Sequence, residues 1–400
     1  MTILYDLSAT QSSGSDGLFH GGGEYAKVVF YRLCELLPTG VSVDVFFNPK
    51  KNIDNYILDI CKKREVTINH CYSHADINDL LKSKTYDVFY SALPYSFYNL
   101  IIPPKTKFVY TIHGLRHLEY PMDKYMLKYG RMKFHKYVKY ILFSFFPFLS
   151  KKMKSRRDID RLNKLFSLTK NQTIITISNH SKYAIFYFFH NVDISKLKVL
   201  YSPLKEYRLG TNDVEILRSF SLEHKKYFLL ICGHRSEKGA YRACRVLHKI
   251  LMEHNKIPDD IKVIVLGVSH YKPYRKLTNG SSKFKFHGYV STENLEILYK
   301  NAHLFLYPTL NEGFGYPPLE AMKYGTICAC SANSAITEIY GDSVLYFNPY
   351  DETEMSIRIL QSFDERIRSE KSKKIPDRYK QITERQKQDL DILIQNIISK

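Results

Sequence analysis

The sequence lacks the features that mark zinc-binding, exported or membrane-spanning proteins. Its seven cysteines are scattered and form no C-x-x-C pair, so neither a zinc ribbon nor a redox motif is expected. We expect these cysteines to be reduced thiols. The longest apolar stretch, residues 140–149, is about half of the ~20 residues that a helix needs to cross a bilayer. The first residues lack the basic start and apolar core of a secretory signal. We therefore expect a cytoplasmic protein.

Acidic residues are also scarce. The sequence has 40 Asp and Glu against 59 Lys and Arg, a net charge of +19. Such a balance favours an anionic partner, which could be a phosphate-bearing small molecule, a nucleic acid or a lipid surface. With 400 residues, 44% of them hydrophobic, and about 150 residues per domain, the chain is expected to form two large domains or three smaller ones. This composition excludes global disorder.

Short β-branched and aromatic runs alternate with longer segments of helical character. This alternation predicts stacked βαβ units with parallel sheets, an α/β fold. Ligands of such sheets bind beyond the carboxyl ends of the strands. The runs are TILYDL, VSVDVFF, VFYSAL, KFVYTIHG and TIITIS in the first half, and YFLLICG, KVIVLG, FKFHGYV and HLFLYP in the second.

The strand rhythm pauses over residues 201–213, which contain Ser202-Pro203 and Gly210. We place the domain boundary there and predict a first domain over residues 1–205 and a second over residues 206–378. Residues 379–400 carry apolar residues at mostly helical spacing and are predicted to form a closing helix.

The first domain contains a basic aromatic lobe at about residues 120–160. Residues 124–157 hold eleven Lys or Arg and no Asp or Glu, around the run YVKYILFSFFPFL. Three interpretations stay open: a hairpin packed on its own domain, a lobe lying on an anionic membrane surface, and a nucleic-acid contact. The clustering of the aromatics is untypical of base stacking, so nucleic acid is the least favoured partner.

The stretch over residues 303–322 predicts a strand, a glycine loop and a helix start. The loop carries Glu312, and Glu320 lies in the first helical turn after a Pro-Pro pair. Glycines bring main-chain N–H groups close to a ligand, and a helix start favours anions. The two carboxylates can accept hydrogen bonds from the hydroxyls of a polyol. Taken alone, Glu312 could be a solvated loop residue and Glu320 a favourable charge in the first turn of a helix.

Residues 312–322 resemble the retaining glycosyltransferases of family 4, whose E-x7-E signature runs E-G-F-G-x-P-x-x-E-A-M. The resemblance implies the GT-B fold, in which two Rossmann-like parallel-sheet domains face a central cleft. It also implies that Glu320 holds the ribose of a nucleotide-sugar donor and that Glu312 contacts the transferred sugar. Main-chain groups would contact the sugar, the diphosphate and the base; they belong to Gly313, Phe314, Gly315, Tyr316, Tyr289 and Val290.

The turn after YFLLICG carries Arg235 and Lys238, which the resemblance identifies as the clamp on the donor diphosphate. Two residues separate them, fewer than is common in the family, so Lys238 is the safer assignment. A solvated basic turn is the alternative. No D-x-D pattern follows a strand suitably, and the doublet Asp259-Asp260 lies in a predicted loop. Fixed cations can stabilise a leaving diphosphate in place of a metal, so we expect catalysis without a metal or a resident cofactor.

Two features of the first half complete the candidate site. His113 ends the strand KFVYTI and resembles the histidine that reaches the donor sugar in the family, although Gly114 stands where aspartate is common. Gly22 and Gly23, in the run HGGGEYA, fit either a glycine loop near the donor or acceptor or a merely flexible loop.

Together these residues predict a glycosyltransferase, cytoplasmic or peripheral at the membrane, that moves a sugar from a UDP- or GDP-sugar to a hydroxyl of a glycan or lipid-linked glycan. The family resemblance implies that the anomeric configuration is retained. The family resemblance implies front-face reaction without a carboxylate nucleophile. Two alternatives remain, namely a nucleotide-sugar epimerase or phosphorylase of similar design, and a noncatalytic protein that binds an anionic surface.

Overall fold

The computed structural model describes residues 1–11, 21–120, 123–129, 147–204, 212–253 and 257–399, with the backbone alone for residues 147–155. In this part of the chain two compact units are present, each built on one parallel β-sheet with flanking helices. The predicted α/β class with two Rossmann-like sheets is therefore confirmed. That the sheets face a central cleft stays a prediction.

The first unit contains a seven-stranded sheet in which the described pairings are parallel. Its central strands are buried along nearly their whole length, as expected for a parallel sheet covered on both faces. The strands, in the spatial order β3-β2-β1-β4-β5-β6-β7, are β1 (Thr2–Asp6), β2 (Ser42–Phe47), β3 (Thr67–His70), β4 (Val88–Ser91), β5 (Lys107–Ile112), β6 (Gln172–Thr176) and β7 (Leu197–Val199).

Helices connect these strands, and local sequence sets several of their starts. In the capping box that begins the third helix, Ser73 Oγ accepts from the Asp76 N–H and the Asp76 carboxylate accepts from the Ser73 N–H at 3.1 Å. Ser178 caps the sixth helix through a single hydrogen bond, in which its Oγ accepts from the Ser181 N–H. The helices are α1 (Gly21–Leu36), α2 (Asn55–Lys63), α3 (His74–Ser83), α4 (Arg116–Glu119), α5 (Pro147–Phe166) and α6 (Asn179–Phe188).

The second unit contains a six-stranded parallel sheet in the order β10-β9-β8-β11-β12-β13, formed by β8 (Tyr227–Leu230), β9 (Lys262–Val265), β10 (Phe284–Phe286), β11 (Leu304–Tyr307), β12 (Cys328–Ser331) and β13 (Leu345–Phe347). The strand order reverses between β8 and β11, where a crevice for ligands opens at the carboxyl edge of such sheets. Its helices are α7 (Asp213–Ser219), α8 (Ala240–Glu253), α9 (Tyr271–Leu277), α10 (Thr292–Asn301), α11 (Tyr316–Met322), α12 (Ala335–Tyr340) and α13 (Glu352–Gln361).

The division of the chain differs from the predicted domains in two places. The first unit comprises Met1–Leu118, Lys152–Lys205 and Thr383–Lys400, and the second Glu119–Lys151 and Glu206–Ile382. The beginning of the basic aromatic lobe therefore belongs to the second unit and not to the first. The physical reason is a buried ion pair between Asp123 and Arg242 of α8. Residues 130–146, the centre of the lobe, lie outside the described residues.

The closing helix is longer than predicted. It is α14 (Glu365–Ile398), and it begins 14 residues before the predicted start at Tyr379. Pro376 lies inside it. Its last part belongs to the first unit, where Arg32 pairs with Asp391 at 2.8 Å. No helix within the described ranges is long and apolar enough to span a membrane.

Candidate functional site

The candidate site lies at the carboxyl edge of the second sheet, where β8 and β11 end side by side. The turn after β8 carries Arg235 and Lys238, and the loop after β11 carries Glu312. The two strands are paired, and the strand order reverses between them. The fold thus brings together two motifs that the sequence separates, at the position where this class of sheet binds ligands.

The carboxylate of Glu312 is buried and surrounded by hydrogen-bond donors. Its Oε1 accepts from the ammonium of Lys238, from the Tyr307 hydroxyl at 2.5 Å and from Thr309 Oγ1 at 2.8 Å. The side chains of Lys238 and Glu312 are each 8% exposed. A charge so far removed from water needs partners of this kind.

Tyr307 connects the two charged groups. Its hydroxyl accepts from Lys238 Nζ at 2.9 Å and donates to Glu312. Burial and the adjacent Glu312 charge raise the pKa of Tyr307 well above its ordinary value. The hydroxyl therefore keeps its proton and orients both partners.

The main chains of the two loops are also in contact. Leu310 N–H donates to the Glu237 carbonyl at 2.7 Å. Gly239 has a φ of 70°, and a Cβ there would lie 2.0 Å from the Pro308 carbonyl oxygen. Only glycine fits this position, because a side chain would push the basic turn away from the loop.

The glycine loop is held by the helix that follows β12. Glu312 N–H donates to Ser334 Oγ at 2.9 Å, and the Gly315 carbonyl accepts from the Tyr340 hydroxyl. Gly315 has a φ of 90°, and a Cβ there would approach Ile336 Cδ1 to 2.4 Å. Gly313 precedes the buried Phe314, whose ring lies 5.1 Å from that of Tyr316. The loop conformation is therefore fixed by packing as well as by glycine.

The start of α11 offers fewer donors than an ordinary helix start. Pro317 and Pro318 have no N–H group, and Leu319 N–H donates to the Tyr340 hydroxyl at 3.1 Å. The expected anion contacts at this helix start therefore rest on the main chain of residues 313–316.

Glu320 lies in α11, half-buried, and accepts from the Tyr299 hydroxyl at 3.1 Å. Burial and the Glu320 charge raise the pKa of Tyr299 well above its ordinary value, so this hydroxyl remains a donor. Tyr299 thus holds one carboxylate oxygen of Glu320 in place. A carboxylate oriented in this way is suited to accept hydrogen bonds from hydroxyl groups.

Arg235 is held by its neighbour Glu237, with Nη2 2.6 Å from the carboxylate. Burial acts against the guanidinium charge, but Glu237 outweighs it, and the pKa of Arg235 is raised. Further along the same edge, Tyr289 is 69% exposed, and its ring centroid lies 5.5 Å from that of His234. Val290 follows it, half-buried. An exposed aromatic beside a basic turn offers a stacking surface to a planar ligand.

His113 and the glycine run lie in the first unit. His113 Nε2 is 2.9 Å from the Ala92 carbonyl, which only accepts, so this nitrogen carries the proton. Its ring packs edge-on against Tyr25 of α1 at 4.7 Å. Gly22 and Gly23 form the first turn of α1 and not a loop, and a Cβ on Gly22 would lie 2.8 Å from Leu93 Cδ2. The close packing on the end of the Leu93 side chain favours a small residue at Gly22.

Several residues that shape the site belong to none of the motifs found in the sequence. Tyr307 and Thr309 hold Glu312, Tyr299 holds Glu320, and Ser334 holds the loop backbone. For Tyr307 and Thr309 the sequence held one signal, namely polar residues at the end of a buried strand, in the run HLFLYPTL.

No cluster of three or more His, Cys, Asp or Glu side chains suited to a metal ion occurs among the described residues. The doublet Asp259-Asp260 is engaged with lysines: Asp259 lies 3.5 Å from Lys283, and Asp260 lies 2.9 Å from Lys226. Metal independence stays a prediction.

Comparison with known proteins agrees with the enzyme class expected from the sequence. Residues 213–382 match the family model of the glycosyl transferases group 1. The matched segment contains the basic turn, the glycine loop and α11, and thus the whole site of the second unit.

Among curated proteins, the chain is similar to two bacterial sugar transferases. It is 28% identical over 191 residues to the O-antigen chain mannosyltransferase RfbU of Salmonella typhimurium, covering 46% of this chain and 49% of the relative. It is 42% identical over 81 residues to the O-antigen chain mannosyltransferase B of Escherichia coli, covering 20% of this chain and 21% of the relative. The chain thus spans half or less of the length of these relatives.

Among solved structures, HepE from Anabaena in complex with UDP-glucose superimposes with a TM-score of 0.65 at 14% identity, covering 99% of this chain and 98% of that one. WaaG, a glycosyltransferase involved in lipopolysaccharide biosynthesis, gives a TM-score of 0.61 at 14% identity, covering 98% and 99%. At this identity the likeness shows the shared fold alone.

Proposed function

We propose that the chain is a glycosyltransferase that moves a sugar from a nucleotide-sugar donor to a hydroxyl of a glycan or lipid-linked glycan. The group 1 match and the two mannosyltransferase relatives support this class. The two relatives also favour mannose as the first sugar to test. The E-x7-E resemblance further supports membership of the retaining family 4.

The observation that carries the proposal is the joint placement of Lys238, Tyr307 and Glu312 at the reversal of the strand order. A cation and a carboxylate held in one buried cluster can serve two parts of a nucleotide-sugar at once. The cation suits the diphosphate and the carboxylate suits the sugar hydroxyls.

In the proposed reaction the bond between the anomeric carbon and the donor phosphate breaks, and a bond from that carbon to the acceptor oxygen forms on the same face. The acceptor proton passes to the leaving phosphate. Lys238 and Arg235 stabilise the charge that develops on the diphosphate. Glu320 orients the ribose and Glu312 the transferred sugar, and neither attacks carbon.

A thermal-shift screen with GDP-mannose, UDP-glucose, GDP and UDP tests donor binding, because a ligand that binds only the folded protein raises its Tm. We expect one nucleotide-sugar to raise Tm and to release its nucleoside diphosphate when glycan acceptors are added. Conversion of the donor to its epimer without an acceptor would instead identify an epimerase. Absence of any shift and of any transfer would contradict the proposed function.

We also propose that the first unit contacts an anionic membrane surface. Tyr183, Phe186 and Tyr187 are 59%, 47% and 72% exposed and, at spacings of three and four, share one face of α6. Lys182 is on the same helix, and the end of the basic aromatic lobe, residues 152–160, also belongs to the first unit. Aromatics insert at the headgroup level while cations are attracted to anionic lipids.

Co-sedimentation with liposomes tests this contact. We expect binding to vesicles that contain phosphatidylglycerol, weakened by salt, and little binding to pure phosphatidylcholine. Replacement of Tyr183, Phe186 and Tyr187 by Ser should reduce binding, whereas Ile101→Ser, at an equally exposed position of the same unit, should not. Equal binding to both vesicle types would contradict the proposal.

A further inference from the structure

A short segment of the second unit, here called the clamp segment (residues 119–120 and 123–129), packs against the helix that follows the basic turn. That helix, α8, begins directly after Gly239. Its Tyr241 N–H donates to the hydroxyl of the buried Tyr129 at 2.9 Å. The N–H groups in the first turn of a helix lack partners within the helix. Tyr129 therefore caps α8 next to Lys238.

A second contact fixes the clamp segment on the same helix. Asp123 Oδ1 lies 2.6 Å from Arg242 Nη2, with side chains 2% and 3% exposed. The Arg242 guanidinium also lies over the Tyr125 ring at 4.8 Å. Removing one partner of such a buried ion pair strongly destabilises a fold, because the other charge is left buried alone. The pair therefore holds the segment firmly on α8.

The other end of the clamp segment reaches the glycine loop. Asn311 Nδ2 donates to Glu119 Oε2 at 3.0 Å. Asn311 is 7% exposed and directly precedes Glu312. The clamp segment thus contacts Asn311, which precedes Glu312, and the start of α8, which follows the turn that carries Lys238.

We propose that the clamp segment positions the two donor-binding loops and thereby sets the affinity for the nucleotide-sugar, with Glu119 and Tyr129 as positioning residues. The proposal rests on the proposed function. Glu119 orients the loop through Asn311, and Tyr129 orients the basic turn through the first turn of α8. Neither residue is assigned a contact with the donor.

Three variants and one control test this role. Glu119→Ala removes the acceptor of Asn311, Glu119→Gln retains a carbonyl acceptor, and Tyr129→Phe removes the cap of α8. Tyr227→Phe is the control, because its buried hydroxyl donates to the Leu298 carbonyl at 2.6 Å, at the opposite end of β8. The measurements are Tm, the Kd for UDP-glucose or GDP-mannose, whichever the wild type binds more tightly, and the separate values of KM and kcat.

We expect Glu119→Ala and Tyr129→Phe to raise Kd and donor KM by about threefold to tenfold, the range set by one hydrogen bond. Glu119→Gln should recover most of the affinity, and Tyr227→Phe should lower Tm without changing Kd. Unchanged Kd in both Glu119→Ala and Tyr129→Phe would overturn the clamp role and leave the proposed function standing. If Tyr129→Phe does not fold, the comparison of Kd between Glu119→Ala and Glu119→Gln tests the proposal. Unchanged Kd in Glu119→Ala would then overturn the clamp role. A wild type that neither binds nor transfers a sugar would remove both proposals.

Discussion

The ammonium of Lys238 and the carboxylate of Glu312 form a buried ion pair, although 74 residues separate them in the sequence. Tyr307 hydrogen-bonds to both partners. Removing one partner from such a pair leaves the other charge in a medium of low dielectric constant. Replacing Lys238 in the basic turn therefore also affects the environment of Glu312 in the glycine loop, and replacing Glu312 affects that of Lys238.

Lys238→Ala should reduce kcat by about 10²–10³, the range found when one donor to a developing charge is removed. Its fold should persist, because Tyr307 and Thr309 still donate to Glu312. Initial rates with saturating donor measure the effect. The control is Lys226→Ala, whose side chain is 45% exposed and pairs with Glu223 and Asp260 at the surface. Wild-type turnover in Lys238→Ala would exclude this residue from the diphosphate site.

Glu320→Ala should weaken nucleotide binding by about tenfold to a hundredfold, since in the proposed function Glu320 is the charged acceptor for the ribose hydroxyls. Calorimetric titration with the preferred nucleoside diphosphate measures the loss. Glu293→Ala removes an exposed glutamate from the first turn of α10 and should bind as the wild type does. If the two variants bind equally well, Glu320 has no role at the ribose.

Gly239→Ala should be more destabilising than Gly325→Ala. Both glycines have a φ of 70°, so both alanines incur about 1–2 kcal/mol for the left-handed backbone. Only at Gly239 would the added Cβ meet the Pro308 carbonyl, at 2.0 Å, whereas nothing lies within 4 Å at Gly325. We expect an extra loss of about 1–3 kcal/mol in the free energy of unfolding by urea, together with weaker donor binding. Equal losses would show that the two loops separate easily.

Asp6 should give the first unit a distinct pH dependence. Burial raises its pKa from 3.8 to about 6, despite hydrogen bonds from Ser8 and Ser91. The folded state therefore holds the proton more tightly than the unfolded chain, and the stability this gives is full below about pH 4 and is lost as the pH rises through about 6. The change is about 3 kcal/mol.

Urea unfolding between pH 4 and 7 tests this effect by comparison with Asp6→Asn, which has no carboxyl to titrate. The stability of the wild type relative to Asp6→Asn should fall across that interval and then level off. Asp59→Asn, at an exposed position of α2, serves as the matched control. Parallel pH curves for the wild type and Asp6→Asn would contradict the assignment.

The strands that the sequence revealed are those that carry continuous apolar runs, such as β5 and β11. Four strands, each of three or four residues, were not predicted from the sequence, namely β3, β7, β12 and β13. β12 reads Cys-Ala-Cys-Ser and has no β-branched residue, and β3 is largely exposed. Their conformation is set by pairing with a neighbour in the sheet, which no local pattern reports.

The site shows the same limit. Lys238, Glu312 and Glu320 were found because their motifs are local. Tyr307 acts through a contact with Lys238 across 69 residues, and Glu119 acts through Asn311 across 192. Such partners are determined by strand order and helix packing, which the residue spacing alone does not encode.

The placement of Asp123 also bears on how this protein can be recombined with its relatives. A chimera joined at the apparent boundary near residue 205 would take α8 from one parent and residues 119–129 from the other. Arg242 would then face a foreign segment with no assurance of a carboxylate, and a buried guanidinium without a counter-ion is strongly unfavourable. Exchange of the second unit therefore requires two further crossover points upstream of that boundary, so that residues 119–129 come from the same parent as α8.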